Sequence, residues 1–562
     1  MEFCFIQSIK DLYHSTKLNE LDWINRNRIL MKKVVKSAHL SHERMKHLEN
    51  RKKIMIWSTT SWERGGAEHM MAFSLHARGH EIKIITCDSK LPTCSMESIR
   101  STRPDCEYCH QRQSNLLEIF GLNEFCSRTS SYHSKEFAEN IQKDIEQLSP
   151  EQLLNYQFRS IQVGKIITRD LPQYYFTSPK PDNFNVQKYM RKAIASTVLL
   201  IEIAHHAITE YNPDLGIVAS GKTNSFSPFY ETCNSIDLPV ITWDECGYET
   251  YGFILAENNF ANEYHLEKIW EKVKHESLDH EKELFLDKYL KKMHRGNVGT
   301  TTFYKNPIFE TDEIKKSLNL LKENKIVTLL ANITWDTSCL GRDTIFNSMM
   351  DWILKTIHFF KTTPDITLVI RCHPSEGNVP DFIKSDEKVS DLIIKEFGSV
   401  PEHVRLVYGE EQINSHALCQ LSDLILVYTT FVGLEMAILG RKVIVSGESH
   451  YRNKGFTLDA SSQEEYFSIL SKKNTYHNKH ITKEEIELAR RYAYFYINRI
   501  HVYLPEFDEE TRHTFSIKDP KDFLPNGSTR WDKLSDSIVS DRLFLDCTHL
   551  KTNQIEPEPK SV

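Results

Sequence analysis

Between Lys325 and Gly447 short apolar runs alternate with helical patterns, and few folds accept that order. "KIVTLLANIT", "ITLVIRCHP", "VRLVYGE", "LILVYTT" and "KVIVSG" read as strands without a polar face, so both faces must be covered. Between them, "TIFNSMMDWILKTIHFF" sets Ile345, Met349, Ile353, Ile357 and Phe360 on one helical face. "VSDLIIKEF", "SHALCQLS" and "FVGLEMAILG" also read as helices. Strands and helices in strict alternation predict a doubly wound α/β sheet.

The same grammar begins earlier. "KIMIWST", a Gly-Gly turn, the helix "AEHMMAFSLHARGH" and the strand "EIKIITCD" open a parallel unit, which "DLGIVAS" and "PVITWDE" resume. The expected organisation is a helical basic extension over 1–53, an α/β domain over 54–305 with a helical insertion at about 114–212, and a second α/β domain over 306–460. Helices over 461–518 and a loosely ordered tail over 519–562 complete it. At 562 residues the chain is too long for one core. The extension holds 12 Lys or Arg against 6 Asp or Glu, which makes peripheral contact with a membrane surface one reading and a solvated packing helix the other. A net charge of -7 argues against a nucleic-acid partner. No apolar run reaches the roughly 18 residues of a membrane helix, and the start lacks a signal peptide's apolar core. A cytoplasmic protein is expected, possible contact with the inner membrane face included.

Ligands of doubly wound sheets bind outside the carboxyl ends of the strands. In the second α/β domain those ends carry Asn332, Thr334, Trp335 and Asp336; Arg371, His373 and Glu376; Tyr428, Thr429 and Thr430; and Ser446 to His450, followed by Arg452 and Lys454. Thr429 and Thr430 precede a helix, a position suited to phosphate. Gly433 would let the backbone approach the ligand. His373 and Arg371 match phosphate oxygens, and Glu435, near the helix start, could accept hydrogen bonds from a ribose diol. The bland alternatives are a strand-terminating His-Pro turn and a helix-start acid. In the first α/β domain Gly65 and Gly66 make the strand-to-helix turn, a loop for acceptor or phosphate, and Glu63, Glu68, Asp244 and Glu245 are candidate bases, Glu63 foremost.

The segments "NITWDTSCLGRDTIFNSMMDWILKTI", "LVIRCHPSE" and "YTTFVGLEMAILGRKVIVSGESHYRNKGFTLD" resemble bacterial capsule polysaccharide biosynthesis proteins of the two-domain GT-B glycosyltransferase type. More distantly they resemble Kdo transferases, polysialyltransferases and teichoic-acid glycerophosphotransferases. The resemblance implies two Rossmann-like domains facing a cleft, with an acceptor domain first and a donor domain second. It implies that His373, Thr429 and Thr430 hold the phosphate of a nucleotide-sugar donor, with a lean toward a cytidine nucleotide, and that a polysaccharide or lipid-linked glycan is the acceptor. Retaining relatives carry two glutamates eight residues apart; here Val427 stands eight before Glu435, which points to an inverting reaction without a catalytic metal. The rival readings are a CDP-polyol phosphotransferase, a nucleotide-sugar epimerase and a non-catalytic binding protein.

Cys87, Cys94, Cys106 and Cys109 form a C-x6-C-x11-C-x2-C pattern. The closing C-x2-C is a usual zinc grip, so a structural zinc is expected here. An iron–sulfur cluster or four reduced thiols are the alternatives.

Overall fold

The computed structural model describes residues 2–540 apart from 48, 61–65, 96, 98–105, 178, 181, 246–251, 262–265, 295–296, 299–300, 303, 321–323, 337–338, 378–383, 505 and 507–514. The chain divides into two compact units. Unit 1 comprises Met1–Asp170, Pro181–His265 and Arg499–Val562, and unit 2 comprises Leu171–Lys180 and Leu266–Asn498.

Unit 1 is built on β1 (Lys53–Ser58), β2 (Glu81–Thr86), β3 (Cys126–Arg128), β4 (Leu215–Ala219), β5 (Val240–Glu245) and β6 (Gly252–Glu257). An edge strand, Val502–Tyr503, completes the sheet, whose order is edge-β6-β5-β4-β1-β2-β3. β1 to β5 run parallel, and β6 and the edge strand are antiparallel to their neighbours. The strands are apolar because helices cover both faces. These include α1 (Glu2–Met45), α2 (Ala67–Ala77), α3 (Cys106–Ile119), α4 (Phe184–Tyr211) and α5 (Ser227–Ser235). Gly66, at φ 95°, starts α2, and a Cβ there would lie 2.9 Å from Leu116; both the turn and the packing require glycine. β3 has three half-buried residues, and the edge strand spans two residues, of which Val502 is buried. Neither has a periodic signature.

The sequence suggested a loosely ordered tail beyond 519. Instead, Pro520–Phe523 and Thr529–Val539 are helical, and Trp531, Leu534 and Ile538 are buried in the core of unit 1. The reason is an apolar stripe at positions 531, 534 and 538, at helical spacing. Residues 541–562 lie outside the described residues.

Unit 2 carries β7 (Lys325–Leu330), β8 (Ile366–Arg371), β9 (Val404–Val407), β10 (Leu424–Val427) and β11 (Val443–Val445), all parallel, in the order β9-β8-β7-β10-β11. Its helices include α6 (His280–His294), α7 (Met349–Phe360), α8 (Val389–Phe397), α9 (Ser415–Leu421), α10 (Val432–Ile438) and α11 (Lys483–Tyr494). The alternation read from the sequence is therefore realised, and the molecule holds two doubly wound α/β sheets. Ser348 starts α7 by accepting from the amide of Asp351 at 3.1 Å. The predicted stretch before it, from Thr344, is irregular.

Candidate functional site

In unit 2 the strand order reverses between β7 and β10, and the carboxyl ends of these two strands flank a crevice where doubly wound sheets bind ligands. Backbone bonds tie the surrounding loops together. Ala331 donates to the carbonyl of Arg371 at 3.0 Å, Ser446 to Val427 at 2.9 Å, Gly447 to Tyr428 at 3.1 Å and Glu448 to Arg342 at 2.7 Å. The Thr344 hydroxyl donates to the carbonyl of Ser446 at 2.6 Å, and the buried Tyr428 hydroxyl donates to Asp343. The four loops singled out from the sequence thus form one edge.

The groups on that edge divide into two kinds. One kind faces the scaffold. Arg371 is 1% exposed and donates to the carbonyls of Val407, Tyr408 and Glu411. It fastens the loop after β9, and the phosphate role expected of it is replaced by this one. Glu376 is buried and accepts from the amide of Val389 at 3.1 Å, which closes the start of α8. Burial pushes its carboxyl up to about 7. Glu435 accepts from the Tyr289 hydroxyl at 3.0 Å and lies 2.8 Å from Nε2 of His416. Its two oxygens meet protein groups inside the unit, so the ribose reading gives way to a buried Tyr–Glu–His connection between α6, α9 and α10. Gly433 makes room for protein as well: a Cβ there would lie 2.2 Å from the Tyr451 hydroxyl, which donates to the carbonyl of Thr430 at 2.6 Å. Lys454, expected at the ligand, is itself 7% exposed at the side chain and pairs with Glu267 at 2.7 Å.

The second kind stays with the edge. The Nδ1 atom of His373 accepts from the amide of Ser375 at 3.2 Å, which starts the short turn Pro374–Glu376. That bond puts the proton of the neutral ring on Nε2. Burial, with Arg371 adding to it, holds the His373 pKa down to about 4. The Thr429 hydroxyl oxygen is buried without a hydrogen-bond partner, an arrangement that native folds rarely tolerate away from a ligand or water. Thr430 is half-buried beside it. Asp336 is half-buried in a turn whose carbonyl accepts from Cys339 and Leu340. The ring of His450 lies 3.6 Å from that of Tyr496 and contacts the Tyr492 hydroxyl at 3.2 Å, so an aromatic group fixes it. α10 spans only seven residues, which leaves its dipole a small contribution compared with the side chains.

In unit 1 the order reverses between β4 and β1. The loop after β4 runs Ser220-Gly221-Lys222-Thr223-Asn224-Ser225, with Ser220 at φ 50°. The carbonyl of Ser225 accepts from the Trp57 indole at 2.9 Å and the Thr59 hydroxyl at 3.1 Å, which joins this loop to the end of β1. Asn224 is 2% exposed, and neither atom of its side-chain amide has a partner; the Thr223 hydroxyl is likewise buried and unpartnered. Asp170 accepts from the amide of Asn224, and burial raises its carboxyl to about 7. These residues did not stand out in the sequence; the available signal was an all-polar loop after an apolar strand. Of the candidate bases, Asp244 is half-buried within β5, and the strand runs on through Glu245 rather than ending before it. Glu68 accepts from the Ser58 hydroxyl at 2.9 Å. Glu63 and Gly65 lie outside the described residues.

The cysteine pattern is not drawn together into a metal-binding group among the described residues. Among the described residues no group of three or more His, Cys, Asp or Glu could hold a metal ion. Cys87 accepts from the amide of Ser89 at 3.3 Å, and burial pushes its thiol up to about 11. Cys94 sits in a segment fastened elsewhere, by Thr93 to Ser196 and by Ser95 to Ser225. Cys106 and Cys109 are half-buried in the first turn of α3.

Comparison with known proteins gives one family. The capsule polysaccharide biosynthesis protein family matches residues 253–488, from β6 of unit 1 through α11 of unit 2. No curated protein matches the chain. Among solved structures, the β-Kdo 2,4-transferase KpsC of Thermosulfurimonas dismutans is 12% identical at a TM-score of 0.33, covering 58% of this chain and 87% of its own. The UDP-GlcNAc 2-epimerase of Neisseria meningitidis is 12% identical at a TM-score of 0.24, covering 78% and 97%. The calicheamicin glycosyltransferase CalG4 is 12% identical at 0.22, covering 78% and 94%.

Proposed function

We propose that this protein is a glycosyltransferase of the GT-B type that moves a sugar from a nucleotide-sugar donor to a growing capsule or surface polysaccharide. The observation that carries the reading is a coincidence. The family match over 253–488 contains the whole β7–β10 switch point, where the Thr429 hydroxyl is buried without a partner and Nδ1 of His373 accepts from the amide of Ser375. In this reading Nε2–H of His373 and the hydroxyls of Thr429 and Thr430 hold the donor's phosphate and stabilise the charge that builds on the leaving nucleotide. The acceptor hydroxyl loses its proton to a carboxylate base sought among Glu63, Asp244 and Glu245 while its oxygen attacks the anomeric carbon and the bond to phosphate breaks. The lack of a second glutamate at Val427 favours inversion, and the His-Pro turn favours a cytidine-linked donor. A lipid-linked acceptor would place the reaction at a membrane surface.

The test incubates the purified protein with CMP- and UDP-sugars, CDP-glycerol and a capsule oligosaccharide acceptor. Sugar transfer to the oligosaccharide supports the proposal, with His373→Ala slower by roughly a hundredfold or more, the scale of a lost oxyanion donor. Polyol-phosphate transfer, epimerisation of free donor or binding without turnover would each overturn it.

A further inference from the structure

α1 has two faces of opposite character. Trp23, Ile24, Met31, Val34 and Ala38 are buried in the core of unit 1. The opposite face, at three- and four-residue spacing, exposes Arg26, Lys32, Lys33, Lys36 and Arg44. Residues 22–45 hold six Lys or Arg against two Asp or Glu, in a chain whose net charge is -7. Of the two acids, Glu43 is matched by Lys46. Between α1 and α3 runs a groove of about 570 Å³, lined by Lys32, Lys36 and His39 among others.

Cations alone would describe a solvated helix face. This face also exposes Ile29 to 65% and Leu40 to 52%, two of the most exposed large apolar side chains among the described residues. They stand about three turns apart on the same stripe as the lysines. A soluble polyanion has no use for them. An anionic bilayer has: the cations meet lipid phosphates, and the aliphatic groups enter the boundary between headgroups and acyl chains.

We propose that the outer face of α1 docks the protein on an anionic lipid bilayer. The inference stands on this helix and would hold whatever reaction the protein performs. The experiment sediments the full chain with vesicles of phosphatidylcholine alone and with about 30% phosphatidylglycerol. Binding is expected with the anionic vesicles only, and it should fall as salt is raised past about 0.5 M. Lys32→Glu, Lys33→Glu and Lys36→Glu together should weaken it by about a hundredfold. Ile29→Ser with Leu40→Ser leaves the charge untouched and should weaken vesicle binding several-fold while binding to soluble dextran sulfate stays the same. All five positions are exposed or charged surface sites, and matched thermal melts of native and variant proteins verify the folds. Absence of binding to anionic vesicles would overturn the proposal. So would native-strength vesicle binding by the Ile29, Leu40 variant, which would make the face a polyanion surface.

Discussion

At the switch point of unit 2, between β7 and β10, the charged groups are already engaged by protein: Arg371 by three carbonyls, Glu376 by a helix start, Glu435 by Tyr289 and His416. Atoms buried there without a partner include the hydroxyls of Thr429, Ser446 and Ser449, Oε2 of Glu376 and Nε of Arg371. At the switch point of unit 1, between β4 and β1, the buried amide of Asn224 has no partner at either atom, and the neighbouring Asp170 is raised to about 7. The same strand order therefore supports two different edges. In unit 2 the charges build a frame, and the atoms left buried without a partner are chiefly hydroxyls. In unit 1 polar groups are held unsatisfied, at a cost to folding. Charge near a strand end is thus readily taken up by the scaffold, and an unpartnered polar atom is what the scaffold leaves over.

The largest expected effect tests the frame of unit 2. Glu435→Ala leaves the His416 ring and the Tyr289 hydroxyl without their buried acceptor, and it should lower the unfolding free energy by about 3–5 kcal/mol. Denaturant melts of the full chain measure it. A variant as stable as the native protein that had lost nucleotide affinity would return Glu435 to the ligand and dissolve the contrast between the two edges.

A smaller effect compares the two raised acids. Glu376 and Asp170 each hold a proton more tightly in the folded state, at about 7, than free carboxyls do. Their contribution to stability is full below the unfolded pKa near 4–4.5 and is lost as pH rises through about 7. Stability should therefore decline across that window, by up to about 3–4 kcal/mol per group. Glu376→Gln and Asp170→Asn should each flatten the decline. If the units unfold in separate steps, each variant flattens only its own step; a decline unchanged in both variants would remove the acids as its cause.

The strands of both sheets were legible because apolar runs without a polar face are a local signal, confined to five or six residues. The partner of a charge is not local. Tyr289 lies 146 residues from Glu435 and His416 lies 19 away, while the carbonyls that hold Arg371 come 36 to 40 residues later. From the sequence, a charge at a strand end reads equally as ligand contact or as scaffold. Gly433 is another such case, since the group that comes close to it, Tyr451, lies 18 residues later. The cysteine spacing carried information about a hairpin grip and none about Thr93 and Ser95, which anchor the segment of Cys94 elsewhere. His373 was legible as a residue at an edge; its tautomer depends on a bond two residues on.

Thr429→Val probes the uncommitted hydroxyl directly. The side chain keeps its shape and loses an oxygen that is buried without a partner. Removing an unsatisfied buried hydroxyl should stabilise the fold by about 1 kcal/mol, whereas removing a satisfied one would destabilise it. Calorimetric binding of CMP or UDP should weaken in the same variant. Opposite signs in stability and affinity would mark a group kept for a ligand. A loss of stability with unchanged nucleotide binding would make Thr429 a structural residue.

The smallest effect is expected at Lys454. Its ammonium meets Glu267, whose side chain is 63% exposed, while its own stem is covered. Lys454→Met keeps the covered stem and removes the charge. An ion pair with one solvent-exposed partner contributes up to about 1 kcal/mol, so the melt should move little. A lysine on the donor's phosphate would behave otherwise. Charge-assisted hydrogen bonds contribute about 1.5–3 kcal/mol, and their loss would weaken nucleotide binding by roughly tenfold to a hundredfold. Titrating CMP and UDP into the variant at low and high salt separates the cases. Unchanged affinity at both salts keeps Lys454 in the frame with Arg371 and Glu435. Weakened affinity, largest at low salt, would show that one charge of this edge does reach the ligand, and the contrast between the two sheets would then hold for Arg371, Glu376 and Glu435 alone.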